Sequence, residues 1–265
     1  MEAARRRHPR SVTVSPPRAA HRPLRDSDGR GPLLAYGDRV NEAPLSGGRV
    51  TLGVVRVANT VRRPRKPNSE LVRALLGRLT ELDLELAPRY LGVDDQGREM
   101  FSYLEGEVPD ELDAGFTDAT LVAAARLTRR FHDATAGSPL AEGLEVVCHN
   151  DLSPCNTVFR NGMPVALIDF DNTAPGIRLD DLGYALFLWL NLGTDGPDSA
   201  EQGRRVNVFC NAYGVPADAT IVAAIASAVA GNIERFRREG RVDDVEWWQT
   251  QLDWVEQHSG MLAGT

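Results

Sequence analysis

Eight residues near the middle of the chain, His149-Asn150-Asp151-Leu152-Ser153-Pro154-Cys155-Asn156, form its densest polar cluster. Short apolar stretches flank the cluster at 145–148 and 165–168, and both predict β-strands. Thirteen residues past Asn156, the second stretch ends in Ile168-Asp169-Phe170-Asp171. A polar loop between apolar strands has to be anchored by those strands, so the fold must bring their ends together. Three acids and one amide, Asp151, Asp169, Asp171 and Asn156, are thereby delivered to strand ends. Phosphoryl transfer from a nucleotide uses such a set. One carboxylate orients or deprotonates a hydroxyl, while a second carboxylate and an amide oxygen hold Mg²⁺ against the phosphates.

The rest of the chain divides around this loop. Residues 1–45 are rich in Arg, Pro, Ser and Gly without periodicity and read as a disordered tail. A hairpin is predicted over 52–57 and 60–63, turning at Ala58-Asn59, where Asn tolerates positive φ, and stopped by Pro64. Asn68 or Ser69 caps a helix with Val72, Leu75, Leu76 and Leu79 on one face. A second hairpin spans 89–93 and 99–104 around Asp94-Asp95-Gln96-Gly97. Thr117 caps a helix reaching about residue 134, and helices follow at 180–192, 201–213, 217–238 and 242–258. The expected architecture is α+β: a β-rich lobe over 46–104, then a larger helical lobe over 105–265.

Charge follows the same division. Residues 1–46 carry +4, 47–100 carry +3 and 101–265 carry −14, within a net −7. Overall acidity argues against a nucleic-acid binder. No apolar run approaches the ~18 residues of a membrane span. The arginine-rich start lacks the apolar core of a secretory signal, and three cysteines without close pairing fit a reducing compartment. A cytoplasmic protein is expected, with no zinc spacing among its Cys and His residues. Lys66 is the single lysine, so a phosphate clamp must come from it or from arginine.

The loop His149-Asn150-Asp151-Leu152-Ser153-Pro154-Cys155-Asn156 resembles the H-x-D-x-x-x-x-N catalytic loop of the kinase-like fold. More narrowly it resembles that of the aminoglycoside phosphotransferase family. Ile168-Asp169-Phe170-Asp171 is similar to the family's metal-binding I-D-[FW]-[DE]. Pro175-Gly176, Asp180-Asp181-Leu182-Gly183 and the segments Gly97-Arg98-Glu99 and Tyr103-Leu104-Glu105-Gly106 extend the likeness over roughly residues 45–260. The resemblance implies a bilobal protein-kinase-like fold with a reduced N-lobe. It implies that Asp151 orients the acceptor hydroxyl and takes its proton, and that Asn156 and Asp169 ligate Mg²⁺. It implies too that His149 braces the loop, that Asp171 assists the metal, faces substrate or serves as a structural acid, and that Asp181 caps the following helix and supports the loop.

In the front lobe, the resemblance calls for a basic residue on the third strand. Alternation puts only one of Arg62 and Arg63 in the cleft, and register favours Arg62. The helix glutamate that usually pairs with this residue is in doubt: Glu70 is nearest, but Val72 holds the place. Gly47 and Gly48, with Gly53, suit either a shortened phosphate-covering loop or an ordinary turn, and the resemblance implies that the backbone around Tyr103 and Glu105 holds the nucleobase. The activity implied is transfer of a γ-phosphate from ATP or GTP, with Mg²⁺, to a hydroxyl of a small molecule. The acidic back suggests a cationic acceptor such as an aminoglycoside, faced by Glu234, Glu239, Asp243, Asp244, Glu246, Asp253 and Glu256. Trp247, Trp248 and Trp254 either stack on a ring or pack in the core. The competing expectation is a catalytically weak nucleotide-binding regulator of the same fold. A protein kinase is disfavoured, because no A-P-E segment or long activation loop follows.

Overall fold

In the computed structural model, the described residues are 42–44, 53–110, 112 and 115–264, all within the unit Val40–Thr265. The tail expected over 1–45 lies outside them except at its end, where it needs correcting. Glu42–Pro44 is β1, an edge strand. It pairs antiparallel with β2 (Val55–Val57), and β2 turns into β3 (Thr60–Arg63). The left-handed residue of that turn is Ala58, φ 51°, not Asn59. Thr60 closes the turn by donating its hydroxyl to the Val57 carbonyl at 2.8 Å.

Helix α1 (Ser69–Glu81) buries Val72, Leu75, Leu76 and Leu79, the stripe its periodicity predicts. Asn68 stands at the N-cap but makes no side-chain capping hydrogen bond. Its side chain instead donates across to the carbonyls of Phe170 and Asp171, at 3.2 and 2.7 Å. Strands β4 (Tyr90–Val93) and β5 (Glu99–Ser102) complete an antiparallel sheet in the order β1-β2-β3-β5-β4. Their turn is held by Asp94, whose Oδ1 accepts the backbone N–H groups of Gln96 and Arg98.

The chain then crosses to the helical lobe at Gly106. A Cβ there would lie 2.5 Å from the Phe159 carbonyl oxygen, so only glycine allows this close passage. Helix α2 (Asp118–Thr135) starts at Thr117, whose hydroxyl accepts the Thr120 N–H. Four short strands carry the central polar segments: β6 (Val146–Cys148), β7 (Thr157–Arg160), β8 (Met163–Leu167) and β9 (Ala174–Gly176). They form two antiparallel ribbons, β6–β9 and β7–β8. Helices α3 (Arg178–Trp189), α4 (Ser199–Tyr213), α5 (Ala219–Arg238), α6 (Val242–Gln257) and α7 (Ser259–Leu262) follow.

Helix α5 is long and apolar enough to cross a membrane by length and composition, which the apolar-run count passed over. Its apolar face, Ile221, Ile225, Val229, Ile233 and Phe236, is buried in the core. Gly183 lets α3 meet α5 closely, since a Cβ there would sit 2.2 Å from the Ala224 carbonyl oxygen. Buried residues of both lobes, from Val72 and Phe101 to Phe170 and Leu186, join one continuous cluster.

Candidate active site

The two ribbons bring the expected strand ends together. β6 leads into the loop 149–156, which closes in a single 3₁₀ turn, Pro154–Asn156, and runs straight into β7. β8 then returns, and two residues past its end Asp169 adopts the left-handed conformation with φ 61°. The Ile168 N–H donates to the Asn156 carbonyl at 2.9 Å, which ties the amide's segment to the acid's.

Asp181 holds the loop from below. It is fully buried, and its carboxylate accepts the backbone N–H groups of His149 and Asn150, both at 2.7 Å. It does not cap α3: it lies in the helix's first turn, and the N-cap is Ile177. A chain of side chains feeds it. Arg178 Nη1 donates to the Tyr213 hydroxyl (3.2 Å), which bonds His132 Nδ1 (2.7 Å), and His132 Nε2 meets Asp181 at 3.0 Å. His132 was not singled out from sequence. Its signal was a histidine in the buried stripe of α2, one position from Phe131. His149 is buried too, with Nε2 on the Ile168 carbonyl at 3.0 Å and its ring 4.8 Å from that of Phe170.

Asn156 donates its side-chain N–H to the Asp151 carbonyl at 3.0 Å. That bond fixes the amide and leaves Oδ1 as a free hard-oxygen donor. Asn156 and Asp169 both line the interlobe cleft, of about 350 Å³. Asp169 is exposed at the cleft, but partial loss of water around its carboxyl and the neighbouring Asp171 carboxylate raise its pKa from the ordinary value, against the pull of His149. A divalent cation would relieve that repulsion, and an amide oxygen with a carboxylate suits Mg²⁺, which takes oxygen ligands and completes its shell from phosphates and water. Among the described residues, no group of three or more His, Cys, Asp or Glu could hold a metal alone.

The basic residue needs correcting. Arg62 faces away from the cleft and pairs with Asp94 at 3.3 Å. Arg63 lines the cleft, with its guanidinium bonded to Asp171 and 4.9 Å from the Phe101 ring centroid. Lys66 Nζ approaches Asp171 at 3.6 Å. Strand alternation allowed either arginine, and register against the family picked the wrong one. Glu70 is also excluded as the buried partner, since it pairs on the exterior with Arg65 and Arg73.

Tyr103 and Leu104 line the cleft. The Tyr103 N–H is already bonded to the Asn59 carbonyl at 2.9 Å. Glu105 is not part of the lining, and its carbonyl accepts Arg160 Nε. Gly47 and Gly48 lie outside the described residues. The thiols of Cys148 and Cys210 are buried, with Cys210 pushed up to about 12, so neither is a nucleophile.

Next to Asp151 stand Tyr184 and Arg235, which the sequence did not single out. Burial and the adjacent Asp151 carboxylate push the Tyr184 hydroxyl up, and Arg235 on α5 pulls it the other way. Three of the seven acids of the expected wall are paired with arginine: Glu234 with Arg237, and Glu239 and Asp244 with Arg241 at 3.5 and 2.8 Å. Trp248 is buried against Phe236 and Phe187, Trp254 stacks on His258, and Trp247 is exposed with its N–H on Asp195.

Known proteins place this arrangement. Residues 138–218 match the family model described as the phosphotransferase enzyme family. A trifolitoxin immunity protein of Rhizobium leguminosarum bv. trifolii is 34% identical over 172 residues. The match spans 59% of this chain and 64%, less than two thirds, of that protein. Among solved structures, the gentamicin complex of APH(2'')-IIa aligns with TM-score 0.58 at 15% identity, over 80% of this chain and 90% of that one. Aminoglycoside phosphotransferase APH(3'')-Id from Streptomyces rimosus, in complex with ADP and streptomycin, aligns with TM-score 0.54 at 17% identity, over 83% and 94%. Residues 138–218 thus carry the signature of the phosphotransferase enzyme family, set in the two-lobed, kinase-like fold of the aminoglycoside phosphotransferases.

Proposed function

We propose that the protein is a small-molecule O-phosphotransferase that moves the γ-phosphate of ATP or GTP to a hydroxyl. One observation carries this: Asn156, Asp169 and Arg63 line the same cleft, and the backbone carbonyl of Asp151 accepts the Asn156 amide beside it. The nucleotide lies in the cleft with its base toward Tyr103 and Leu104 and its phosphates toward Arg63. Asn156 Oδ1 and Asp169 would hold Mg²⁺, which neutralises phosphate charge and fixes the phosphates' geometry. Asp151 orients the acceptor hydroxyl. As the acceptor oxygen bonds to the γ-phosphorus, the bond to the β-bridging oxygen breaks, and the hydroxyl proton passes to Asp151. The nucleoside diphosphate leaves with the electron pair of the broken bond.

The acceptor is read from two sides. The likeness to a toxin immunity protein supports an acceptor that is itself toxic, inactivated by its phosphate. The arginine pairing of Glu234, Glu239 and Asp244 weakens the expectation of a polycation, and Arg235 beside Tyr184 favours a neutral or anionic group near the hydroxyl. A nucleoside triphosphate donor would suit a cytoplasmic setting. The test is a mass-shift screen with Mg²⁺, ATP or GTP and a panel of antibiotics, peptides and metabolites. A gain of one phosphate on an acceptor supports the proposal. Nucleotide binding with no acceptor modified in the whole panel supports the regulatory alternative instead.

A further inference from the structure

We propose that Glu99, on β5, is the positioning residue that holds Arg63 against the nucleotide phosphates. The inference rests on the phosphotransferase reading and adds a residue to it. In the ladder between β3 and β5, Arg63 stands directly opposite Glu99. Directly opposed residues share one face of a sheet, so their side chains meet there. Both are buried, Glu99 at 2% and Arg63 at 8% exposure. Arg63 Nε lies 3.4 Å from Glu99 Oε2, an ion pair without a hydrogen bond between the two buried atoms. Phe101, two residues along β5 on the same face, carries the guanidinium over its ring.

Helix α1 offers no substitute. Where it meets the cleft it presents Val72 and Leu76, and its one first-turn acid, Glu70, is bound outside. The anchor of the clamp therefore belongs to the sheet that carries it. A buried carboxylate left without a cation is expensive, so Glu99 fixes a charged arginine in place.

Arg63 retains capacity for a ligand. Its Nη2 is buried in the cleft wall without a hydrogen-bond partner among the described residues. Nη1 is held by Asp171. When phosphate enters, Arg63 takes it with Nη2 and exchanges Asp171 for it at Nη1, while Glu99 keeps the Nε side. The clamp then works whatever the setting of α1, because both its charges sit on paired strands.

The experiment is a double-mutant cycle on the full chain, read as the dissociation constant of Mg²⁺·ADP by calorimetry. Arg63→Ala and Glu99→Gln are each expected to weaken binding at least about tenfold, and the double variant to bind no more weakly than Arg63→Ala alone. In turnover, Glu99→Gln raises the nucleotide KM and leaves the acceptor KM unchanged, and Glu99→Asp recovers part of the loss. Wild-type affinity in Glu99→Gln, or losses that multiply in the double variant, overturns the assignment. Should Glu99→Gln fail to fold, Glu99→Asp carries the same cycle with the same expected sign. A wild-type protein that binds no nucleotide overturns the phosphotransferase reading itself. Wild-type binding with independent losses overturns only Glu99.

Discussion

Asp169 is exposed at the cleft, yet partial loss of water around its carboxyl and the neighbouring Asp171 raise its pKa. A carboxyl whose folded pKa lies above its unfolded value binds more protons when folded. Stability therefore falls as pH rises through the window between the ordinary value near about 4 and the raised one. At neutral pH the ionised group costs stability until a cation compensates it. Asp169→Asn is thus expected to raise the melting temperature of metal-free protein at pH 7, with the gain vanishing below the ordinary carboxylate pKa. The same variant should lose the stabilisation that Mg²⁺·nucleotide gives the wild type, which scanning fluorimetry with and without Mg²⁺·ADP reads directly. Arg62 is the residue-scale counterpoint. Its partner, Asp94, is also held by Arg98 Nε at 2.8 Å. Arg62→Ala should leave nucleotide affinity within about twofold of wild type, and calorimetry separates this from the large loss expected of Arg63→Ala.

At the scale of elements, the loop 149–156 is only as rigid as the network beneath it. Asp181 gathers two backbone N–H groups and His132, and the chain continues through Tyr213 to Arg178. Asp181→Ala removes a buried acceptor from three donors at once. It should cost about 3–5 kcal/mol in urea unfolding and abolish turnover, because both N–H groups at the head of the loop lose their partner. Much of this scale was legible in the sequence. The stripe Val72, Leu75, Leu76, Leu79 became the buried face of α1, and Thr117 caps α2 through Thr120. β7 was missed because Thr157-Val158-Phe159 follows Asn156 without a break and reads as the end of the loop. β9 was missed because Ala-Pro-Gly has poor strand propensity, and only its pairing with β6 makes it a strand. Asn68 illustrates the opposite failure. Its chemistry suits a cap, but tertiary contact spends its amide on Phe170 and Asp171.

Across the whole molecule, the front sheet supplies a cation and the back lobe supplies the acids, and the cleft is where they meet. Arg63, Lys66 and Asn68 from the front all reach the segment 169–172 of the back. The sequence showed the two halves and the acids, since spacing alone delivers Asp151, Asn156 and Asp169 to strand ends. It could not choose between adjacent arginines, because a one-residue difference in register reverses which face each occupies. Nor could it show which acids of the back lobe are paired, since Arg237 and Arg241 meet Glu234 and Asp244 only once α5 and α6 are helical. The central claim is that this cleft transfers phosphate with Asp151 as the residue that takes the proton. The most direct measurement compares wild type with Asp151→Asn, both loaded with Mg²⁺ and γ-labelled nucleotide, on an acceptor found in the mass-shift screen. The account predicts equal nucleotide affinity and a transfer rate about 10²–10⁴-fold lower in the variant. Transfer by Asp151→Asn at the wild-type rate would contradict it.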